Sequence, residues 1–273
     1  MIVFPHAKIN LGLNVLEKRP DGFHNIESLF YPIRLCDVLE IVENRLNSEK
    51  KIELANSGLP TDCELEDNLV FKAASSVALK FDIPAIKIHL HKIIPSGAGL
   101  GGGSSDSAFT IKLLNDLFEL KMSVEDMKKL ASELGSDCTY FISGGAQLVT
   151  GVGDKLEKLS IDLSDYYLAI IKPKVHINTA SAYSKINPST PTEYISSIIN
   201  TDVHNWKENL KNDFEVVVVG ENSEIEKIKL LMYEKSALYV SMTGSGSAVF
   251  GMFKEMPELK ISNDDWFVWT GKM

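Results

Sequence analysis

The segment PSGAGLGGGSSDSA, Pro95 to Ala108, places five glycines between Gly97 and Gly103 and follows them with Ser104 and Ser105. Glycine loses more backbone entropy on folding than any other residue. So dense a run is kept where the backbone takes unusual dihedrals or something must approach it closely. The flanks argue against a flexible linker. AIKIHLHKII before the run alternates as a strand does, and SDSAFTIKLLNDLF after it has helical spacing at Ala108, Ile111, Leu114 and Leu117. A loop from a strand into a helix gathers N–H groups at the positive end of the helix dipole, which suits phosphate.

Several phosphate-binding designs are excluded by what surrounds the glycines. Gly97, Gly99 and Gly102 satisfy G-x-G-x-x-G, but a dinucleotide site wants an acidic strand end about twenty residues further on. The chain there reads FELKMSVEDMKKL, a helix end and a helix start. A protein kinase needs downstream HRD and DFG segments, and neither occurs. A Walker loop needs Lys after its glycines, and Gly103 is followed by Ser104.

The elements that must hold this loop can be read from periodicity. The first 43 residues are β-rich, with Ile9, Leu11, Leu13 and Val15 alternating before the turn KRPDGFH and the strand-like LCDVLEIVE. NLVFKAASSVALKF has helical spacing, and Ser123 and Asp126 are spaced as a capping box for a helix that ends at Gly135. GSDCTYFISGG then leads toward a strand, AQLVTGVG. Further helices are predicted in NTASAYSKI, TEYISSIIN, WKENLKNDFEVVVV and NSEIEKIKLLMYEK. Strands are predicted in YYLAIIKP, ALYVSM and AVFGMF, with DWFVWT as an edge. The mixture is α+β, without the steady alternation of a doubly wound sheet. The polar stretch EKLSIDLSD suggests two domains, 1–160 and 161–273.

Composition narrows the partners. The 273 residues are 44% hydrophobic and 24% charged, ordinary for a soluble globular protein, and no apolar run approaches bilayer length. The N-terminus MIVFPHAKINLGL lacks a signal-peptide layout, so a cytoplasmic protein is expected. A net charge of −9 disfavours a nucleic-acid partner, because phosphate backbones demand a dense basic surface. Cys36, Cys63 and Cys138 form no CxxC pair and read as reduced thiols. His89 and His91 share a strand face without a third ligand nearby, which favours an ordinary strand pair over a metal site.

Three segments in order, PHAKINLGL, PSGAGLGGGSS and TGSGSAVFG, resemble the motifs of the GHMP kinases, the superfamily of galactokinase, homoserine kinase and mevalonate kinase. The resemblance spans the chain. It implies a two-domain architecture, a ribosomal-protein-like βα N-terminal domain and a ferredoxin-like α+β C-terminal domain. It also implies ATP as co-substrate, with Mg²⁺. Within the superfamily, AKINLGLNVLEKRPDGFHNIESLF is similar to the 4-diphosphocytidyl-2-C-methyl-D-erythritol kinases. That similarity implies ATP-dependent phosphorylation of the 2-hydroxyl of a cytidine-diphosphate-linked methylerythritol, on the non-mevalonate route to isoprenoid precursors. A small-molecule partner and a monomer or weak homodimer are the corresponding expectations.

Carried onto this chain, the resemblance makes Asp137 the acceptor of the hydroxyl proton and Lys8 its neighbour that keeps the carboxylate ionised. Without it, Asp137 reads as a helix N-cap and Lys8 as an exposed strand lysine. Pro95, Ser96, Gly97, Ala98, Gly99, Leu100, Gly101, Gly102, Gly103, Ser104 and Ser105 would surround the ATP phosphates, the two serines close to phosphate or Mg²⁺. No metal ligand is assigned. Asp106 departs from the smaller neutral residue expected there, and is expected to turn away from the phosphates or to help hold metal. Asn68 and Lys92 align with nucleotide contacts, a helix cap and a strand-end lysine being their plain readings. Phe23 and Tyr183 would take opposite faces of the cytosine, with His24 at its edge, and Asn10 would contact the substrate near Lys8. Relatives commonly have Tyr at position 23; Phe keeps the ring face and loses one hydroxyl. Gly244, Ser245 and Gly246 would close on the substrate, although a β-turn explains them as well.

Overall fold

Alternating side chains set the sheets of the protein, whose computed structural model describes residues 1–45, 50–61, 63–259, 261, 263 and 265–273. The chain opens with β1 (Ile2–Val3), β2 (His6–Lys18), β3 (His24–Cys36), β4 (Val38–Glu43) and β5 (Ile52–Gly58). Next come α1 (Leu69–Lys80), β6 (Ile86–Lys92), α2 (Gly102–Leu117), α3 (Val124–Leu134) and α4 (Cys138–Ser143). They are followed by β7 (Gln147–Gly151), β8 (Lys155–Lys158), β9 (Tyr167–Lys172), α5 (Thr179–Lys185), α6 (Ile195–Ile198) and α7 (Trp206–Asn209). The chain closes with α8 (Phe214–Glu221), α9 (Ser223–Glu234), β10 (Tyr239–Met242), β11 (Val249–Phe253) and β12 (Phe267–Lys272).

Two compact units divide these elements. One comprises Met1–Ala7, Leu35–Ser96 and Gly101–Gly144; the other comprises Lys8–Arg34, Gly97–Leu100 and Gly145–Met273. The first holds a sheet in the order β1-β4-β6-β5, antiparallel except for the β5–β6 pair. That parallel pair needs a crossover connection, and α1 supplies it. In β6 the inward register is Ile86, Ile88, Leu90 and Lys92, so alternation sends a lysine into the interior. Helix α1 buries Val70, Ala73, Ala74 and Val77, one stripe at helical spacing. The predicted capping box of α3 is present: Ser123 accepts from the Asp126 N–H, and Asp126 accepts from the Ser123 N–H.

The second unit has two four-stranded sheets, β2-β3-β7-β8 and β10-β11-β9-β12, with β12 at the edge as its sequence predicts. Leu13, Val15, Ile171, Phe214, Ile225, Ile228 and Val249 share one of its cores. Two helix expectations need correction. The single helix read over WKENLKNDFEVVVV is two, α7 and α8, because 210–213 leaves helical geometry to pair with β2: the Leu13 N–H donates to the Lys211 carbonyl and the Asp213 N–H to the Leu13 carbonyl. Of TEYISSIIN only α6 is helical, its first amides held by the buried Glu27 carboxylate, which accepts from Ile195 N at 3.1 Å. Among the described residues none of Cys36, Cys63 and Cys138 forms a disulfide. No helix among the described residues is long and apolar enough to cross a membrane.

Candidate active site

Strand β2 is buried on both faces from Ala7 to Val15, and its alternation puts Lys8 and Asn10 on the same face. The Lys8 ammonium donates to Asn10 Oδ1 at 2.7 Å and to the Gly99 carbonyl at 2.9 Å, and lies 4.5 Å from the centre of the Phe30 ring. Lys8 is thus an interior lysine, and its plain reading as an exposed strand residue fails. Asn10 Oδ1 also accepts from Thr243 Oγ1 at 3.1 Å and from Gly244 N at 2.8 Å, while its amide donates to Ser28 Oγ at 2.8 Å. One amide therefore joins the N-terminal motif to the TGSGS turn. Asn212 holds that turn from below, donating to the carbonyls of Met242 and Gly244 at 2.8 and 2.9 Å. Ser245 Oγ is 2.8 Å from Thr179 Oγ1, and Gly246 N donates to the Thr243 carbonyl at 3.0 Å.

The glycine loop takes the strained backbone that its composition predicts. Gly97, Gly99 and Gly101 all have positive φ, at 59°, 74° and 72°, while Ala98 and Leu100 between them are buried anchors. A Cβ on Gly99 would sit 2.0 Å from the Thr243 carbonyl oxygen, so this glycine is required by close backbone approach as well as by φ. Pro95 and Ser96 are half-buried and lead out of β6. Gly101 is the N-cap position of α2, and Gly102, Gly103, Ser104 and Ser105 form its first turn. Ser105 Oγ is buried without a hydrogen-bond partner among the described residues.

Other expected residues fall differently. Asp137 precedes α4, and its side chain makes no cap hydrogen bond there, so the capping explanation does not account for it. Asn68 does cap α1, accepting from Val70 N at 2.9 Å. The Lys92 ammonium is only 4% exposed and is bound by two carboxylates, Asp37 and Asp106. Burial alone would lower its pKa, but Asp106 and Asp37 raise it. Burial pushes the Asp106 carboxyl up to about 8, with Lys92 opposing and Asp37 adding to the rise. Asp106 therefore points to Lys92; among the described residues no group of three or more His, Cys, Asp or Glu could hold a metal ion. His89 and His91 both bond Ser57 Oγ at 2.9 Å, the ordinary strand pair expected.

His24, Tyr183 and Phe214 form a separate ring cluster, which among the described residues does not include Phe23. Phe23 is 65% exposed in the turn after β2, where Asp21 accepts its N–H at 3.1 Å. His24 lies across Tyr183, with ring centres 5.1 Å apart and planes 22° apart, and the Tyr183 ring meets Phe214 edge-on at 4.8 Å. Asp37, Ser28, Asn212 and Thr243 escaped the sequence reading. Asp37 stood as a lone charge between apolar strands and Thr243 beside the TGSGS motif, whereas nothing in the sequence tied Asn212 to that motif.

Known proteins place this geometry in a family. Residues 68–147 match the GHMP kinases N terminal domain and residues 194–263 the GHMP kinases C terminal domain. The chain is 45% identical over 275 residues to a 4-diphosphocytidyl-2-C-methyl-D-erythritol kinase of Parabacteroides distasonis, covering 100% of both. It is 46% identical over 266 residues to the protein of that name from Bacteroides fragilis, covering 97% of this chain and 96% of the other. A crystal structure of 4-(cytidine 5'-diphospho)-2C-methyl-D-erythritol kinase superposes with a TM-score of 0.78 at 29% identity, over 92% of this chain and 90% of that one. The mevalonate kinase of Methanococcus jannaschii shares the fold, with a TM-score of 0.71 at 14% identity over 100% and 98% of the two chains. With all three expected motifs present and relatives matched along its whole length, the chain belongs to the GHMP kinases, in the 4-diphosphocytidyl-2-C-methyl-D-erythritol kinase family.

Proposed function

We propose that the protein transfers the γ-phosphoryl group of ATP to the 2-hydroxyl of 4-diphosphocytidyl-2-C-methyl-D-erythritol, a step in non-mevalonate isoprenoid precursor synthesis. The observation that carries this reading is the full-length likeness to relatives of that name; the glycine loop alone would support only a phosphate site. The division at residue 160 is retained, since one matched family segment ends at 147 and the other begins at 194. A cytoplasmic location and a monomer or weak homodimer complete the proposal.

Phosphoryl transfer asks for positioning, charge neutralisation and a destination for the hydroxyl proton. In this reading Asp137, at the N-cap position of α4, accepts that proton. Lys8 orients the reacting hydroxyl and favours the ionised carboxylate. Asn10 and the Gly244–Gly246 turn shape the substrate side through the hydrogen bonds that join them. Main-chain amides from Pro95 to Ser105 receive the phosphates. Asn68 serves the nucleotide through its amide nitrogen, its oxygen being used in the cap. Mg²⁺ would neutralise the polyphosphate, and being a hard ion that keeps water and phosphate oxygens it suits a loop offering serine hydroxyls at Ser104 and Ser105. The base is recognised by Phe23 and Tyr183, with His24 giving up its own stack on Tyr183 to reach the base edge.

The test is ATP consumption by purified protein against the cytidylyl substrate, homoserine, mevalonate and galactose. Turnover is expected with the first alone. Methylerythritol phosphate lacking the nucleotide should be nearly inert, because remote binding energy holds the hydroxyl in line. Equal activity on that truncated compound would overturn the substrate assignment and leave a kinase of unassigned specificity.

A further inference from the structure

Lys92 is the inward residue at the end of β6, and both groups that bind it come from segments that flank the glycine loop or brace it. Asp37, between β3 and β4, gives Oδ2 to Lys92, while its Oδ1 accepts the N–H of Ile93 and, at 2.8 Å, that of Ile94. Those are the last two residues before Pro95 opens the loop. Asp106, in the second turn of α2, gives Oδ2 to Lys92 at 2.7 Å. The two ends of the loop are therefore tied through one ammonium. The approach also depends on Gly102: a Cβ there would lie 2.9 Å from Ile94 Cγ2 and 3.3 Å from Lys92 Nζ.

We propose that Asp37, Lys92 and Asp106 form a buried clamp that sets the spacing between the end of β6 and the start of α2, so that Lys92 acts by positioning the phosphate loop and makes no contact with the nucleotide. The proposal rests on the reading of that loop as the phosphate cradle. Stability alone does not explain the three residues. Asp37 is 0% exposed and Asp106 2%, and burying a cation with two carboxyl groups carries a desolvation penalty, so an apolar trio of similar volume would serve a core as well or better. What an apolar trio lacks is direction: Asp37 fixes two consecutive amides and one ammonium with its two oxygens. The roles of the two carboxylates differ. Asp37 uses both oxygens, whereas Asp106 Oδ1 is buried without a hydrogen-bond partner among the described residues. Asparagine at 106 can still present its oxygen to Lys92. Asparagine at 37 cannot serve both the amides and the ammonium.

Calorimetric titration of ATP and ADP into folded variants, alongside thermal unfolding and the KM of each substrate, tests the clamp. Lys92→Met and Asp37→Glu, the latter keeping the charge but moving it by one methylene, should weaken both nucleotides about tenfold or more while leaving the KM of the second substrate near its wild-type value. Asp106→Asn should bind nucleotide almost normally, and Asp106→Leu should behave like Lys92→Met. Folded Lys92→Met and Asp37→Glu proteins that bind ATP as the wild type does would overturn the clamp, even if their unfolding temperatures fall. If Lys92→Met does not fold, Asp37→Glu against Asp106→Asn decides the matter: equal nucleotide affinities overturn the proposal. Wild-type protein that binds no ATP would instead overturn the reading of the loop itself.

Discussion

Lys8, Asn10 and Thr243 are all buried, with Asn10 bonded to both of the others, whereas Phe23, which also reads as a substrate contact, is exposed in a turn and Tyr183 is stacked on His24. The first region has its hydrogen bonds filled and its backbones in contact. The second consists of ring faces whose attraction tolerates small displacements. The contrast matches two demands. Chemistry at a hydroxyl loses rate steeply with misplacement, while stacking on a base is broad in angle and offset. Variants in the two regions should accordingly fail in different ways.

The largest effects belong to the residues assigned to proton transfer. Asp137→Asn should lower kcat by roughly 10²–10⁴-fold with the calorimetric Kd of ATP unchanged, the range typical of a lost general base. Lys8→Ala should be comparably damaging, and should also lower the unfolding temperature, since the Gly99 carbonyl and Asn10 lose a buried donor. The double variant should be little worse than the worse single one, because the pair acts as a unit. Near-normal turnover in Asp137→Asn would remove the residue from the mechanism.

Next comes Gly99. Valine there meets both an unfavourable φ of 74° and the Thr243 carbonyl 2.0 Å from its Cβ. Gly144→Val, with φ 64° and nothing within 4 Å of the Cβ, carries the dihedral penalty alone, about 1–3 kcal/mol. Chemical denaturation of the two should show Gly99→Val much the less stable, and the difference measures the backbone contact. Equal losses would mean that the loop yields to Thr243 and that this region is less rigid than its hydrogen bonds imply.

The glycine loop was legible because its cause is local: only glycine takes positive φ cheaply, so composition exposes the geometry. The capping box of α3 was legible for the same reason. Lys92 was half legible. Alternation from Ile86 through Leu90 already points it inward, but nothing nearby in sequence reveals that Asp37 and Asp106 meet it. The break at 210–213 was not legible, since the helical pattern of that stretch gives way to pairing with Leu13, almost two hundred residues earlier. Likewise Asn212 is legible only as a local acceptor for the Phe214 N–H at the start of α8; that its amide holds the carbonyls of Met242 and Gly244, distant in sequence, is not.

A smaller effect is expected at Tyr183. Alanine there should weaken binding of the cytidylyl substrate by roughly 1–3 kcal/mol, by analogy with aromatic platforms that hold unpaired bases. Stability should fall as well, because Tyr183 packs edge-on against Phe214 in the core of its unit. Tyr183→Phe keeps both ring contacts, so its KM for the cytidylyl substrate should stay close to wild type. A large KM change in Tyr183→Phe would assign the effect to the hydroxyl and count against a stacking role.

Phe23 separates recognition from stability most cleanly, with the smallest effect. Its ring is 65% exposed and has no ring partner among the described residues, so removing it takes little from the core. The turn that carries it is held by main-chain and Asp21 contacts: Arg19 N donates to the Phe23 carbonyl at 2.8 Å, and Asp21 accepts the Phe23 N–H at 3.1 Å. Neither bond uses the ring. Phe23→Ala should therefore leave unfolding stability within about 0.5 kcal/mol of wild type. It should still raise the KM of the cytidylyl substrate about fivefold, the lower end of a base–aromatic stack, with the KM of ATP unchanged. Phe23→Tyr, which restores the ring face, should match wild type or bind slightly tighter. A Phe23→Ala protein with an unchanged substrate KM would leave Tyr183 without an opposing face and move base recognition to the edge contacts at His24.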